Sequence, residues 1–236
     1  MIEARKKFKV SVVIPAYNEE DNIEKVINSV KKRKEVDEII VVDDGSIDAT
    51  STIANACGTA KVVTLSKNQG KGYAMKIGAS KASGDIILFI DADFKNISHH
   101  IVEAMIEPFK DMYDFVKTRF DRNGGRVTLL TAKPLLEHFF PSIAQRFEQP
   151  LSGQIGIRRD LLEKMILEPG YGVDIGILID AVESGAKVEE VHIGYLDHNE
   201  RALGDLDVTA KEVTRVILDR AVRYKRLEDS LGMINP

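Results

Sequence analysis

Short apolar runs alternate with amphipathic stretches through the first hundred residues of the chain. The runs at Lys9–Ile14, Glu38–Val42, Lys61–Leu65 and Asp85–Ile90 have the length and the nearly unbroken apolar character of strands that are buried on both faces. Between the first two runs, Glu20–Lys32 carries apolar residues at helical spacing. This alternation of strands and helices predicts an α/β fold, in which a mainly parallel sheet is covered by helices on both faces.

The second half of the chain is less regular. Its pattern predicts a half-buried strand at Asp114–Phe120, a helix at Val127–Phe140 that is interrupted near Pro134, a short strand at Gln154–Ile157 and a long amphipathic helix at Leu206–Lys225. No repeat, low-complexity tract or linker divides the chain. The simplest prediction is therefore one domain that spans all 236 residues.

Two carboxylates directly follow the last apolar run of the first half. Asp91 and Asp93 flank Ala92, and ligands of parallel sheets bind at the carboxyl ends of the strands. Both side chains can reach one hard cation, because Mg²⁺ and Mn²⁺ prefer oxygen ligands and share them with substrate phosphates. Taken alone, an Asp-x-Asp sequence more often only caps the following helix, so both interpretations stay open at this point.

Other polar segments stand in a fixed order with this pair. They are Val12–Glu20 (VVIPAYNEE), Val42–Asp48 (VDDGSID), Asn68–Gly72 (NQGKG) and Gly84–Asp85. As a set, they resemble the GT-A glycosyltransferases of the large family that includes dolichyl-phosphate mannose synthase. The resemblance implies a GT-A fold in which Asp91 and Asp93 hold a divalent metal cofactor, Mg²⁺ or Mn²⁺.

The same resemblance assigns residues to a nucleotide-sugar donor. It implies that the turn after the first strand and Asp44 hold the base and the ribose, since carboxylates accept hydrogen bonds from base N–H groups and ribose hydroxyls. Lys71 would pair with the diphosphate, assisted by the amides of Gly70 and Gly72 at a helix start; the alternative is a solvated lysine. The donor-binding residues predicted here are Pro15, Ala16, Tyr17, Glu19, Asp44, Lys71 and Ala92.

Segments of the second half narrow the resemblance. They are 124–128 (GGRVT), 132–136 (AKPLL) with 139–141 (FFP), 149–153 (QPLSG), 170–174 (GYGVD) and His198. Together they look like the glucosyl-3-phosphoglycerate synthases and their mannosyl relatives, which are retaining enzymes that move a hexose from a nucleotide donor to the 2-hydroxyl of 3-phosphoglycerate. The resemblance divides the chain into a nucleotide-binding half, residues 1–95, and an acceptor-binding half, residues 96–236.

This narrower resemblance also assigns roles in the second half. It implies that Gly125, Arg126 and Thr128 bind the acceptor, which suits a guanidinium that can clamp a phosphate or a carboxylate. The alternative for this segment is an ordinary surface loop. Leu151 and Tyr171 would line the pocket for the donor sugar.

Two further positions complete the predicted site. Asp174 would accept hydrogen bonds from sugar hydroxyls, and it joins Asp91, Asp93 and Lys71 as a predicted catalytic residue; a helix N-cap is the alternative. The family usually has Glu there, so glucose and mannose both stay open. His198 would be the third metal ligand, although the chain lacks the arginine that the family shows before this histidine.

Composition and charge limit the partners. The net charge of −4 and the absence of a long basic run argue against a nucleic-acid partner. No stretch approaches the ~20 apolar residues that a membrane span needs, and a single cysteine fits a reducing compartment, so we expect a cytoplasmic protein. The expected ligands are a UDP-, GDP- or ADP-hexose and a small phosphorylated acid. The family commonly dimerises, so a homodimer is an open alternative to a monomer.

Two other functions stay open. The first is a polyprenyl- or dolichyl-phosphate hexosyltransferase, which would need apolar membrane contacts near its acceptor site; the apolar face of Leu206–Lys225 suits core packing or dimerisation better. The second is a non-catalytic nucleotide-sugar-binding protein. A nucleotidyltransferase is disfavoured, because the turn at residues 15–19 lacks glycine and basic side chains.

Overall fold

The structure, a computed structural model, describes residues 8–95, 99–121, 125–195 and 203–227. Within these ranges, seven strands form one sheet in the order β3-β2-β1-β4-β6-β5-β7. Strand β6 is antiparallel to both of its neighbours, and the other pairs are parallel. The predicted mainly parallel sheet is confirmed. The strands are β1 (Val10–Ala16), β2 (Glu38–Asp43), β3 (Lys61–Thr64), β4 (Ile86–Phe89), β5 (Phe115–Arg119), β6 (Ile155–Arg158) and β7 (Val188–His192).

Helices connect the strands and cover the sheet. In the described part of the chain they are α1 (Ile23–Lys31), α2 (Thr50–Ala56), α3 (Lys71–Lys81), α4 (His99–Lys110), α5 (Lys133–Phe139), α6 (Pro141–Arg146), α7 (Arg159–Leu162), α8 (Val173–Glu183) and α9 (Leu203–Arg223). No helix in the described ranges is both long enough and apolar enough to cross a membrane.

Two apolar clusters lie on opposite faces of the sheet, and β1 contributes to both. Val12 and Ile14 pack in one cluster with apolar residues of α1, α2 and α4. Val13 points to the other face, where α3, α5, α6, α8 and α9 supply the partners. Because side chains alternate between the two faces, a strand covered on both sides is apolar at most positions. This packing explains the mostly apolar sequence of β1, whose buried Ser11 donates a hydrogen bond to Glu38 at 2.6 Å.

The direction of β6 brings additional residues to the carboxyl edge of the sheet. Its first residue, Ile155, pairs with Phe89 at the end of β4 and with Lys117 in β5. Since β6 runs against its neighbours, the segment that precedes Ile155 lies where β4 ends. Sequence periodicity predicts a strand here but carries no information about its direction, so the position of this segment is a finding of the structure.

The predicted interruption near Pro134 takes the form of a π-helical turn at Thr128–Ala132, which continues into α5. The N–H of Lys133 donates to the carbonyl of Thr128, five residues earlier. Proline has no N–H for an ordinary i→i−4 bond and crowds the preceding turn. A widened turn just before it accommodates the ring without ending the helix.

Helix α9 packs with one face on the core. Val213, Val216 and Ile217 are buried, as the predicted amphipathic pattern requires. Val208 and Val222, which the same pattern groups with them, are exposed. At ~100° per residue, Val222 lies on the opposite side of the helix from Val213. The amphipathic pattern therefore assigns more residues to the apolar face of the helix than the core buries.

A buried ion pair attaches α9 to α8. The guanidinium of Arg220 contacts both carboxylate oxygens of Asp180, at 2.8 and 2.9 Å, and reaches Glu168 at 2.9 Å. Tyr224 donates a hydrogen bond of 2.9 Å to the same aspartate. Arg220 and Asp180 are 3% and 4% exposed, so the two helices share a desolvated charge pair whose polar atoms are bonded.

Candidate active site

A cleft opens at the carboxyl edge of the sheet, where β1, β2 and β4 end. It encloses about 620 Å³ of space that is open to solvent. Ten residues that the sequence predicts for the donor and the metal line it, together with Asn68, Gly70 and Ala74. The ten are Pro15, Ala16, Tyr17, Glu19, Asp44, Lys71, Asp91, Ala92, Asp93 and Tyr171.

The turn after β1 is fastened to the turn after β2. The backbone N–H of Asn18 donates to Oγ of Ser46 at 2.9 Å, and the Asn18 side chain accepts from the N–H of Ile47 at 3.0 Å. Asn18 has a φ of 54°, a left-handed conformation that asparagine tolerates better than most residues. These bonds hold Tyr17, which is 44% exposed, on the wall of the cleft. Asn18 belongs to the segment Val12–Glu20, whose sequence indicates no role for this side chain.

Asp44 holds a loop of the cleft through both carboxylate oxygens. They accept the backbone N–H groups of Gln69 and Gly70 at 2.9 and 2.8 Å. Burial raises the pKa of Asp44, and these two hydrogen bonds oppose the shift. The Gly70 amide, expected to assist Lys71 at the diphosphate, is therefore already engaged by Asp44. Gly70 has a φ of 98°, and a side chain there would meet the carbonyl of Pro169 at 2.6 Å.

Lys71 lies between two carboxylates. Its ammonium nitrogen is 2.7 Å from Oδ1 of Asp91 and 2.8 Å from Oδ2 of Asp174. Burial alone would lower the pKa of Lys71, but the charges of Asp174 and Asp91 outweigh it and raise the pKa above its usual value. Lys71 is therefore a cation at neutral pH, and it connects a predicted metal ligand to a predicted sugar-binding residue.

Asp174 is buried near the start of α8. Its Oδ2 accepts from Lys71, whereas Oδ1 is buried and has no hydrogen-bond partner among the described residues. Burial raises the pKa of Asp174, and the charge of Lys71 opposes that shift. The N-cap alternative for Asp174 is wrong, because Gly172 is the N-cap of α8. The side chain instead presents an unpaired oxygen at the interior of the site.

Sequence analysis missed Lys117. The alternating pattern of β5 predicts a half-buried strand with Lys117 on its polar face, yet this residue is fully buried. Its ammonium donates a 2.7 Å hydrogen bond to the backbone carbonyl of Asp174. Burial lowers the pKa of Lys117 to about 8, against the attraction of Asp174. A lysine inside a strand gives no sequence signal that distinguishes a buried charge from a solvated one.

Helix α9 holds the segment that carries Tyr171. A carboxylate oxygen of Glu212 accepts the backbone N–H of Tyr171 at 2.6 Å. On the other side, the carbonyl of Pro169 accepts the N–H of Tyr73 in α3 at 3.0 Å. The segment is thus fixed between α3 and α9, and Tyr171 lines the same cleft as Tyr17 and Asp44.

Asp91 is held through both of its carboxylate oxygens. Oδ1 contacts Lys71, and Oδ2 accepts from the amide nitrogen of Gln154 at 3.1 Å. Gly153 lies directly against the pair: a methyl group on Gly153 would come within 2.6 Å of Cγ of Asp91 and would overlap Oδ2 and the Lys71 ammonium. Only glycine leaves room for this arrangement.

We expect Gly153→Ala to lower kcat/KM about a hundredfold, because the added methyl group must push Asp91 or Lys71 out of position, and displacements of about 1 Å at a reacting site have effects of that size. Steady-state kinetics measure the loss, and a circular dichroism spectrum checks that the fold is kept. A folded variant with wild-type kinetics would show that the contact between Gly153 and Asp91 does not matter.

The cleft offers oxygen ligands for a hard cation. Asp91 and Asp93 both line it, one residue apart at the end of β4, and such donors suit Mg²⁺ or Mn²⁺. The described residues contain no group of three or more His, Cys, Asp or Glu side chains placed for a metal. Two protein carboxylates with further oxygens from a nucleotide and water satisfy the usual coordination of Mg²⁺. The predicted third ligand, His198, lies outside the described residues.

The remaining predicted residues do not line the cleft as the described residues define it. Leu151 is partly buried against the apolar cluster that contains Val13. Gly125 and Arg126 are exposed just before the π-helical turn, and Thr128 is buried within it. Their predicted contacts with the acceptor and with the sugar stay predictions.

Comparisons with known proteins identify a family. The model of the family "Glycosyl transferase family 2" matches residues 11–165. A glucosyl-3-phosphoglycerate synthase of Mycobacterium tuberculosis is 36% identical in an alignment that covers 89% of this chain and 73% of that protein. The synthase of Petrotoga mobilis is 34% identical and covers 96% of this chain and 78% of that protein.

The structure is also similar to solved structures of a glucosyl-3-phosphoglycerate synthase. The M. tuberculosis enzyme in complex with Mn²⁺, UDP-glucose and phosphoglyceric acid matches with a TM-score of 0.86 at 37% identity, over 91% of this chain and 80% of that one. The same enzyme has been solved with Mg²⁺ and UDP, with a TM-score of 0.85. The fold predicted from the sequence resemblance is confirmed.

Proposed function

The chain belongs to glycosyl transferase family 2, and from this premise we propose that it transfers glucose from UDP-glucose to 3-phosphoglycerate with the help of Mn²⁺ or Mg²⁺. The observation that carries the proposal is the Lys71 ammonium between Asp91 and Asp174. The ammonium supports the proposal because it is a positive charge beside a predicted metal ligand, where it would face the diphosphate that leaves the sugar. The choice of glucose and of the acceptor is supported by the relatives that resemble this chain over most of its length.

On the leaving-group side, Asp91 and Asp93 would hold the metal, with His198 as the proposed third ligand. The metal would neutralise charge that develops on the departing diphosphate. Lys71 would add a second cationic contact from the protein, and its raised pKa keeps it charged throughout the physiological range. The side chains of this group thereby stabilise the leaving group rather than attack the sugar.

On the sugar side, Asp174 would orient the hexose. Its unpaired Oδ1 is a buried acceptor, and a sugar hydroxyl would satisfy it, since a buried oxygen without a partner costs about 1–3 kcal/mol. Tyr171 would cover the ring from the cleft wall, and Leu151 would contribute an apolar contact. Retention of configuration would then proceed with the leaving phosphate taking the proton of the acceptor hydroxyl.

On the acceptor side, Gly125, Arg126 and Thr128 would bind the phosphoglycerate. The exposed guanidinium of Arg126 can form two parallel hydrogen bonds to a phosphate or a carboxylate. Apart from its chain neighbours, no atom of the described residues lies within 4 Å of the position that a Cβ would take at Gly125, so an anion could approach its backbone closely.

We expect Arg126→Met to raise the KM for 3-phosphoglycerate about ten- to a hundredfold, the loss typical of a hydrogen bond to a charged group, while the KM for UDP-glucose stays near the wild-type value. Initial-rate kinetics with each substrate varied in turn measure both constants. Arg223→Met, which removes another exposed arginine from the last turn of α9, is the control. Equal effects of the two substitutions on acceptor KM would contradict the role of Arg126.

A product assay tests the proposed function. UDP-, GDP- and ADP-glucose and GDP-mannose are each combined with 3-phosphoglycerate or glycerate, with Mn²⁺, with Mg²⁺ or with a chelator. The expected product is glucosyl-3-phosphoglycerate from UDP-glucose, formed only with metal. A preference for GDP-mannose would change the donor, and transfer to a polyprenyl phosphate instead of 3-phosphoglycerate would overturn the acceptor. Donor binding without turnover of any pair would identify a non-catalytic binding protein.

A further inference from the structure

A chain of three buried polar side chains ends at Asp91. Thr118, Ser152 and Gln154 come from β5 and from the segment that precedes β6, and all three are shielded from solvent. The Thr118 and Ser152 hydroxyl oxygens are 2.6 Å apart, the Ser152 hydroxyl donates to Oε1 of Gln154 at 3.0 Å, and Nε2 of Gln154 donates to Oδ2 of Asp91 at 3.1 Å. None of these three residues is among those assigned to the site above.

The Asp91 carboxylate determines which way the Gln154 amide faces, and the two hydroxyl groups complete the arrangement. A hydroxyl has one proton, and when Ser152 gives its proton to Oε1 of Gln154, the 2.6 Å bond between the two hydroxyls is donated by Thr118. Both protons then run toward Oε1, which is consistent with Nε2 facing Asp91. The flipped amide would set its oxygen 3.1 Å from a carboxylate oxygen, with two acceptors in contact and no proton between them.

Gln154 and Lys71 hold the two oxygens of Asp91 from different sides. Lys71 contacts Oδ1 and Gln154 contacts Oδ2, so the plane of the carboxylate is fixed. The two contacts differ in charge. Because glutamine is neutral, it orients Asp91 without adding a cation that would compete with a metal ion.

We infer that Thr118, Ser152 and Gln154 form a positioning relay that presents Asp91 to the divalent metal. The inference rests on the proposed function for the presence of that metal. Groups that orient a metal ligand typically change metal affinity ten- to a hundredfold when they are removed. Gln154 is a positioning residue, since it acts through Asp91.

The test measures metal binding directly. Mn²⁺ is titrated into the wild type and the variants with saturating UDP, and the free ion is followed by its electron paramagnetic resonance signal. We expect Gln154→Met, close in size but without the amide donor, to raise the Mn²⁺ Kd ten- to a hundredfold. Thr118→Val, which keeps the shape of the side chain and removes the first hydroxyl, should raise the Kd by a smaller factor in the same direction.

Gln149→Met is the matched control, because Gln149 is also buried and its amide contacts Phe120 rather than Asp91. An unchanged Kd in folded Gln154→Met would overturn the relay; should that variant not fold, an unchanged Kd in both Thr118→Val and Ser152→Ala would do so. If the wild type binds no Mn²⁺ in the presence of UDP, both the proposed metal site and the proposed function are contradicted. A wild type that binds Mn²⁺ but forms no product from 3-phosphoglycerate would overturn only the proposed function.

Discussion

Asp91→Asn is expected to lower kcat/KM for glycosyl transfer about a thousandfold, which corresponds to about 4 kcal/mol of lost transition-state stabilisation. Asparagine keeps the shape of the side chain but loses the charge that binds the metal, and metal-ion catalysis of this kind contributes several kcal/mol. The same change removes one of the two carboxylates that contact Lys71. Product formation at saturating Mn²⁺ and UDP-glucose measures the effect.

Asp85→Asn is the matched control for this experiment. Asp85 precedes β4, the strand that ends just before Asp91, and its carboxylate accepts the backbone N–H of Lys9 at the opposite edge of the sheet. The substitution is chemically identical, so its kinetics should stay near those of the wild type. An Asp91→Asn protein that kept full activity with the metal still bound would contradict the proposed role of the metal.

Arg220→Met is expected to destabilise the fold by about 3–5 kcal/mol, because removing one member of a buried ion pair leaves the other charge without compensation. Asp180 would keep only its hydrogen bond from the hydroxyl of Tyr224, and Glu168 would keep its ion pair with the exposed Arg215. For a chain of this length, each kcal/mol lowers the melting temperature by about 2–4 °C. Urea denaturation measures the change in the free energy of unfolding, and thermal denaturation measures the change in melting temperature; circular dichroism follows both.

The control is Arg215→Met on the same helix. Arg215 contacts Glu168 and Asp219, each at 3.4 Å, and about half of its side chain is exposed. Exposed pairs of this kind contribute at most about 1 kcal/mol, so the melting temperature should change little. Similar losses in both variants would mean that burial does not determine the strength of the Arg220 contact.

The parallel part of the sheet and most of the residues that line the cleft could be predicted from sequence, because local patterns carry that information. Strands buried on both faces are mostly apolar, as β1 and β4 are, and parallel strands bring the turns that follow them to one edge. The polar turns at 15–19 and 91–93 therefore lie on one cleft. Matched motifs then gave those turns a chemical role.

The rest of the site depends on contacts between distant residues. Nothing in the periodicity of β6 shows that it runs antiparallel to its neighbours, yet that direction carries Gly153 and Gln154 to Asp91. Lys117 fits an alternating strand as a solvated side chain, and its burial follows from the helices packed on both faces of β5. The pairing of Lys71 with Asp174 spans 103 positions in the sequence, beyond the reach of any local pattern.

Two lysines of the site lie beside two of its aspartates. Lys71 and Lys117 face Asp91 and Asp174, so two positive and two negative charges share the interior. A pocket built from carboxylates alone would repel itself and would need an ion before the chain could close around it. Here Lys71 supplies a counter-ion to Asp91 and Asp174, so these two carboxylates are paired within the protein itself. In the proposed reaction, the metal ion would then arrive with each nucleotide sugar and depart with each nucleotide, as a co-substrate of turnover rather than a part of the scaffold.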